Sequence, residues 1–200
     1  RGYGRTARPS LGRGGGGAGG RGGGAGPPPP RHVVELLAER LRDGTLRDIS
    51  GVPTSKATER HAQEVGLPLI SLEYEPRLDL TIDGADEIDP ELNLIKGLGG
   101  ALLWEKIVAT ASDRLVIVAD SSKRVERLGE KAPLPVEVVP FGWTTHLAFL
   151  DLLGAQATLR QDEKGSPIVT DGGHYLLDCH FEDGILEPDR LERELRGRVG

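Results

Sequence analysis

The sequence predicts an α/β fold: helices layered on a largely parallel sheet, followed by a small α+β subdomain. Short apolar runs alternate with amphipathic stretches from His32 to about residue 130, the rhythm of a strand–helix layer. After Pro133 the rhythm becomes one helix followed by consecutive strands with turn residues between them. Residues 1–30 share neither pattern, so the chain divides into 1–30, 31–132 and 133–200.

Residues 1–30 hold 13 glycines and five prolines. Such a segment has too little apolar surface to offset its ordering entropy, and disorder is expected. Its Arg-Gly-Gly repeats at Arg13 and Arg21 suit an RNA-binding tail poorly, because Tyr3 is the one aromatic there. A GxGxxG match at Gly14, Gly16 and Gly19 follows from glycine abundance alone, with no strand before it.

From His32 onward, Val33, Leu36, Leu37 and Leu41 mark the apolar face of a first helix. Residues 47–52 read as a strand, and Ser55 or Thr54 caps a second helix that ends near Gly66. Strands follow at 69–72 and 78–82, the latter running straight into Asp83. Residues 101–111 predict a helix, and 115–119 a fully buried strand bounded by Asp120 and Ser121. In the second part, 136–139 is a strand and 144–153 a helix stopped by Gly154. Strands at 157–160 and 168–170 flank the turn DEKG, a third runs over 175–181, and a last helix covers 188–196.

The chain carries 25 basic and 31 acidic residues, a net charge of −6. Residues 1–30 contribute five arginines and no acid, so residues 31–200 carry −11. An acidic body argues against a nucleic-acid face while leaving room for a local phosphate pocket. The single cysteine, Cys179, excludes an intramolecular disulfide and a four-cysteine zinc site, and fits a reducing cytoplasm. It reads as buried filler, with His180 on the opposite face of the strand. No apolar run approaches a membrane span, and no secretory signal follows the first arginines. The absence of methionine, even at position 1, predicts a fragment or a processed chain.

Residues 83–106, DGADEIDPELNLIKGLGGALLWEK, concentrate the chemistry. Asp83 and Asp86 are followed by Lys96, a glycine-rich bend and Glu105 on a helix. Acids, a cation and accessible backbone amides in one place suit proton transfer on a polar, anionic substrate. Asp83 stands at one strand end, and Asp120 and Lys123 just beyond another, where ligands of open α/β sheets bind. The first amides of the helix after Lys96 can meet an anionic oxygen. Other site types fit less well. An EF-hand needs Gly and Glu where Ile88 and Leu94 stand, and no phosphate loop ending in GK[ST] exists. His61, His146, His174 and His180 lack metal-ligand spacing, and His61 and His146 fit helix surfaces. The bland alternatives are that Asp83 and Asp86 cap turns, Lys96 pairs with Glu91, and Glu105 pairs with Lys106 or Arg114.

The run DLTIDGADEIDPELNLIKGLGGALLWEKIVA resembles the signature of the type A D-ribose-5-phosphate isomerase family. The resemblance continues through VIVADSSK, LPVEVVPFGW and PIVTDGGHYLLDC, and covers about residues 31–195. It implies a Rossmann-like domain with a smaller α+β, ferredoxin-like lid, usually in a cytoplasmic homodimer. It further implies no cofactor or metal, no nucleic-acid or membrane partner, and a pentose 5-phosphate as substrate. The implied reaction interconverts ribose 5-phosphate and ribulose 5-phosphate, in the pentose phosphate pathway, through an enediolate. Glu105 matches the family's proton acceptor; Asp83 and Asp86 match the acids of DGAD, and Lys96 the cation beside the enediolate oxygen. Asp83, Gly84, Ala85, Asp86, Lys96, Gly97, Leu98, Gly99 and Lys123 take the substrate-binding positions.

The chain departs from the pattern where AGPPPP replaces a GTGSTV-type loop, where Leu98 stands for glycine, and where Trp104 stands for a smaller or basic residue. The family's closing strand lies beyond Gly200, which reads as a truncated C-terminus. The alternative to an enzyme is a non-catalytic sugar-phosphate-binding module.

Overall fold

The structure is a computed structural model that describes residues 29–200. The reading of 1–30 as disordered, and of its Arg-Gly-Gly repeats as poorly suited to RNA, lies outside the described residues except at Pro29 and Pro30. Helix α1, Pro29–Arg42, begins in that stretch, because a proline in the first turn forgoes no intrahelical hydrogen bond. Its buried face is Val34, Leu37, Ala38 and Leu41, of which Val34, Leu37 and Leu41 pack with Ala62 and Leu67; Leu36, expected on that face, is exposed to solvent. Helix α2, Lys56–Val65, starts at Ser55, whose side chain accepts the Thr58 N–H, and stops at Gly66 in the left-handed conformation.

The strands expected at 47–52 and 69–72 shrink to one parallel bridge between Gly51 and Leu69. Asp48 takes a left-handed φ of 55°, and Pro53 and Pro68 withhold amide donors, so neither run can extend its pairing. Strand β1, Thr81–Asp83, ends on the acid expected there. A short antiparallel hairpin that the sequence reading missed follows: β2, Glu87–Ile88, and β3, Leu94–Ile95. Asp89 closes it by accepting the Asn93 backbone N–H at 2.8 Å and the Asn93 side-chain N–H at 2.9 Å.

Helix α3, Leu102–Thr110, and strand β4, Leu115–Ile117, come next. β4 runs parallel to β1 with Asp83 opposite Ile117, and a bridge between Leu78 and Ser112 extends the pair. The expected largely parallel sheet is thus a two-stranded parallel ladder. β4 is also not buried as expected: Leu115, Val116 and Val118 are exposed. Its only hydrogen-bonded neighbour among the described residues is β1, so its outer edge is uncovered.

The second part follows the sequence reading closely. Strand β5, Leu134–Val138, helix α4, Thr145–Leu152, strand β6, Gln156–Leu159, strand β7, Tyr175–His180, and helix α5, Pro188–Gly197, appear in order. The sheet is antiparallel, ordered β5–β7–β6, with Leu176, Leu177 and Cys179 wholly buried. The strand expected at 168–170 reduces to bridges from Gln161 to Pro167 and from Val169 to Tyr175, since Pro167 has no N–H to give. Burial pushes the Cys179 thiol up to about 12, and His180 faces solvent on the other side. His146 departs from expectation: it is buried, not on a helix surface. Arg198 Nε lies 3.5 Å from its Nδ1, and Gly200 O accepts the Val139 N–H, so residues 198–200 cover the ring. Burial and the Arg198 charge both hold its pKa down.

Glu87 ties the β2–β3 hairpin to the loop at 129–132 that ends the first part. Fully buried, it accepts the N–H groups of Gly129 at 2.6 Å, Lys131 at 2.6 Å and Ala132 at 2.7 Å. Glu87→Ala leaves these part-buried amides without their acceptor. A loss of about 2 kcal/mol in urea unfolding is expected, at the lower end for three amides when each fully buried unpaired donor costs about 1–3 kcal/mol. A loss below about 1 kcal/mol would show the clamp to be dispensable.

Candidate active site

Three elements converge beside the carboxyl end of β1. β1 delivers Asp83, β3 delivers Lys96 directly after Ile95, and α3 carries Glu105 in its first turn. Lys96 Nζ lies 2.8 Å from Asp83 Oδ2 and 3.0 Å from Glu105 Oε2, and donates to Gly84 O at 2.7 Å. The Asp83, Glu105 and Lys96 side chains are 6%, 17% and 24% exposed, so this acid–cation–acid bridge sits in a partly dry setting. Asp86 Oδ2 accepts the Leu98 N–H at 2.9 Å, and Asp83 Oδ1 accepts the Gly84 N–H at 2.7 Å. The bland pairings do not form: Lys96 bridges Asp83 and Glu105 rather than Glu91, and Lys106 pairs with Glu192.

The glycine-rich bend depends most on Gly97, although Gly100 also takes a left-handed φ of +80°. Gly97 has φ +101°, and a Cβ there would come within 2.7 Å of the Leu102 side chain. Leu98 has no such constraint; it lies outside the left-handed region, and its side chain turns outward at 42% exposure. Gly99 and Gly100 lead into α3, whose N-terminus at Ala101 has no side-chain cap. Ala85 is half-buried between Gly84 and Asp86. Lys123 occupies a 3₁₀ turn, Ser121–Lys123, beyond β4, and forms no ion pair with the Asp83–Lys96–Glu105 cluster. Among the described residues no group of His, Cys, Asp and Glu is arranged as metal ligands, and no helix is long and apolar enough to cross a membrane.

The electrostatics favour proton transfer. Burial raises the Glu105 pKa; Lys96 works against this, and the Asp83 and Asp86 charges reinforce it. A carboxylate held above its ordinary range is a stronger base toward carbon acids. For Lys96 burial disfavours the ammonium, but Glu105 and Asp83 outweigh it, and its pKa rises. The cation therefore persists beside any negative charge that develops on a bound oxygen. Asp83 Oδ2 and Glu105 Oε2, both buried, have no well-aligned hydrogen bond despite their closeness to Lys96, so both retain accepting capacity.

Sequence reasoning missed Glu87, Arg160 and Asp178. Glu87 follows Asp86, and adjacent strand residues face opposite ways, so one acid turns to the bend and the other to the loop at 129–132. Arg160 pairs with Asp178 through Nε at 2.8 Å and through Nη2. Thr158 lies opposite Asp178, which makes Arg160 its diagonal neighbour, a relation readable only once the register is known.

The family model for ribose 5-phosphate isomerase A (phosphoriboisomerase A) matches residues 50–200. Ribose-5-phosphate isomerase A of Roseiflexus castenholzii is 56% identical over 155 residues, covering 78% of this chain and 66% of the relative. The Synechococcus protein of the same name is 52% identical over 168 residues, covering 84% and 72%. A solved D-ribose-5-phosphate isomerase in complex with phospho-erythronic acid superposes with a TM-score of 0.81 at 38% identity, covering 85% of this chain and 74% of that one. The chain thus spans about two thirds of the length of the first of these relatives. It belongs to the ribose 5-phosphate isomerase A family.

Proposed function

We propose that the chain interconverts D-ribose 5-phosphate and D-ribulose 5-phosphate, and that the residues of the 83–105 cluster carry the chemistry. The Lys96 bridge between Asp83 and Glu105 supports this most strongly. In the opened aldose, Glu105 removes the C2 proton, and the electron pair left behind forms the enediolate as the C1 carbonyl becomes C1–O⁻. Lys96 compensates the oxyanion, and Asp83 and Asp86 accept and return hydroxyl protons. The proton on Glu105 then passes to C1 while the C2 oxygen becomes the carbonyl. Atoms and charge balance without a redox partner. With three acids around one cation, the 5-phosphate is held away from this cluster, on the side of Lys123.

In this reading β1, β4 and the helices around them are the Rossmann-like domain, 31–132, and 133–200 is the α+β lid. The protein acts as a cytoplasmic homodimer, without cofactor, nucleic acid or membrane, in the pentose phosphate pathway. The test is an isomerase assay on the full chain beside a version in which AGPPPP becomes GTGSTV behind a restored first strand. Turnover in the restored protein is the expected result; a folded, inactive restored protein that still binds the sugar phosphate would point to a non-catalytic binding module.

The pH profile gives an independent check. The base must be ionised, so activity falls as acid protonates Glu105. Because burial raises its pKa, the acid limb of kcat/KM is expected above the ordinary glutamate value of 4.5. Lys96, raised above 10.5, adds no limb near neutrality. An acid limb at or below 4.5 would remove Glu105 from this role.

A further inference from the structure

Arg160 lies outside the acid–lysine cluster, beyond β6, yet its guanidinium reaches the bend that carries Lys96. Nη1 donates to Gly97 O at 3.2 Å and to Leu98 O at 3.0 Å. The opposite edge of the guanidinium is fixed by Asp178 through Nε and Nη2, and the pair is largely buried, at 13% and 18% side-chain exposure.

Peptide geometry gives this contact a consequence for the site. All described peptide bonds are trans, so the C=O and N–H of one unit point opposite ways. The Gly97 carbonyl is turned onto Arg160, and the Leu98 N–H of the same unit meets Asp86 on the other side. In the next unit the Leu98 carbonyl is also turned onto Arg160, which directs the Gly99 N–H away from the guanidinium. The Gly99 N–H makes no hydrogen bond within the described residues. Within the bend one turn bond runs from the Gly100 N–H to Gly97 O at 3.0 Å. Gly97 and Gly100 nevertheless both take left-handed φ values that favour glycine, so Arg160 adds an outside constraint on a backbone of wide conformational freedom.

We propose that Arg160, oriented by Asp178, is a positioning residue for the isomerisation: it selects the conformation of residues 97–99 that aims two consecutive backbone N–H groups at the Asp86 side of the site. The proposal rests on the isomerase reading for its effect on turnover, but not for its effect on the bend. A lysine keeps the charge but not the planar fork, and cannot hold Asp178 and both carbonyls together.

The test uses the full chain with Arg160→Lys and Arg160→Met, followed by amide exchange by NMR and steady-state kinetics. In Arg160→Met the Leu98 and Gly100 amides are expected to exchange at least about tenfold faster, while those of β5 and β7 keep their rates, which reports a local change in a folded protein. In Arg160→Lys kcat is expected to fall about 10- to 100-fold with KM changed less than about threefold, as misplacement without loss of binding requires. Unchanged exchange at Leu98 and Gly100 in both variants overturns the proposal, as does wild-type kcat in Arg160→Lys. A wild-type chain without turnover counts against the isomerase reading, and the exchange data still decide the role of Arg160.

Discussion

Glu105→Gln is expected to lower kcat about a thousandfold, within the range that a positioned general base contributes, while ribose 5-phosphate binding stays within a few-fold of wild type. The amide matches the carboxylate in shape and can still accept from Lys96, but it cannot take the C2 proton. The same change separates catalysis from stability. Burial raises the Glu105 pKa, so between the ordinary and the raised value the folded protein binds more protons than the unfolded one, and stability falls as pH rises. A neutral amide removes that penalty. Thermal unfolding at neutral pH is therefore expected to show a midpoint equal to wild type or higher. Steady-state kinetics, calorimetric titration with sugar phosphate and a melting curve check all three statements. Full turnover in the variant would remove Glu105 from the mechanism.

Lys96→Met has the second largest effect. It removes the one cation from a cluster in which Asp83 Oδ2 and Glu105 Oε2 both lie within 3.0 Å of its ammonium. Turnover is expected to fall about 10²- to 10³-fold through loss of oxyanion compensation. Lys96 is also the influence that holds the Glu105 pKa down, so the acid limb of any residual activity moves to higher pH. Two buried acids without a counter-charge cost about 3 kcal/mol of stability when both are ionised. The deficit is expected to shrink as acid protonates Glu105, whose pKa burial already raises, so urea unfolding at about pH 8 and about pH 5 should show the larger loss at the higher pH. A deficit independent of pH would mean that Lys96 contributes packing rather than charge.

The parts of this molecule that local chemistry determines were legible in the sequence. Ser55 and Gly66 bracket α2 as their side chain and backbone freedom require. The DEKG turn forms with Asp162 accepting the N–H groups of Lys164 and Ser166. Asp83, Lys96 and Glu105 meet because a strand end, a hairpin end and a helix start each deliver one of them. What depends on long-range neighbours was not legible. The run 115–119 is apolar enough to be buried, but burial needs a covering element that composition does not supply. Glu87 and Arg160 look like ordinary surface charges until the loop at 129–132 and the β6–β7 register place their partners. His146 likewise reads as a surface residue, because what covers it lies some fifty residues further along the chain.

The chain has one thiol, and the fold has sealed it: Cys179 is wholly buried in β7 and its pKa is pushed to about 12. An alkylating reagent can then modify the protein only through molecules whose β5–β7–β6 sheet has come apart. The labelling rate is a native clock for opening of that sheet, with no probe introduced. Run on the Glu87 and Arg160 variants, the clock separates a sheet that opens more often from a bend that has merely lost its shape.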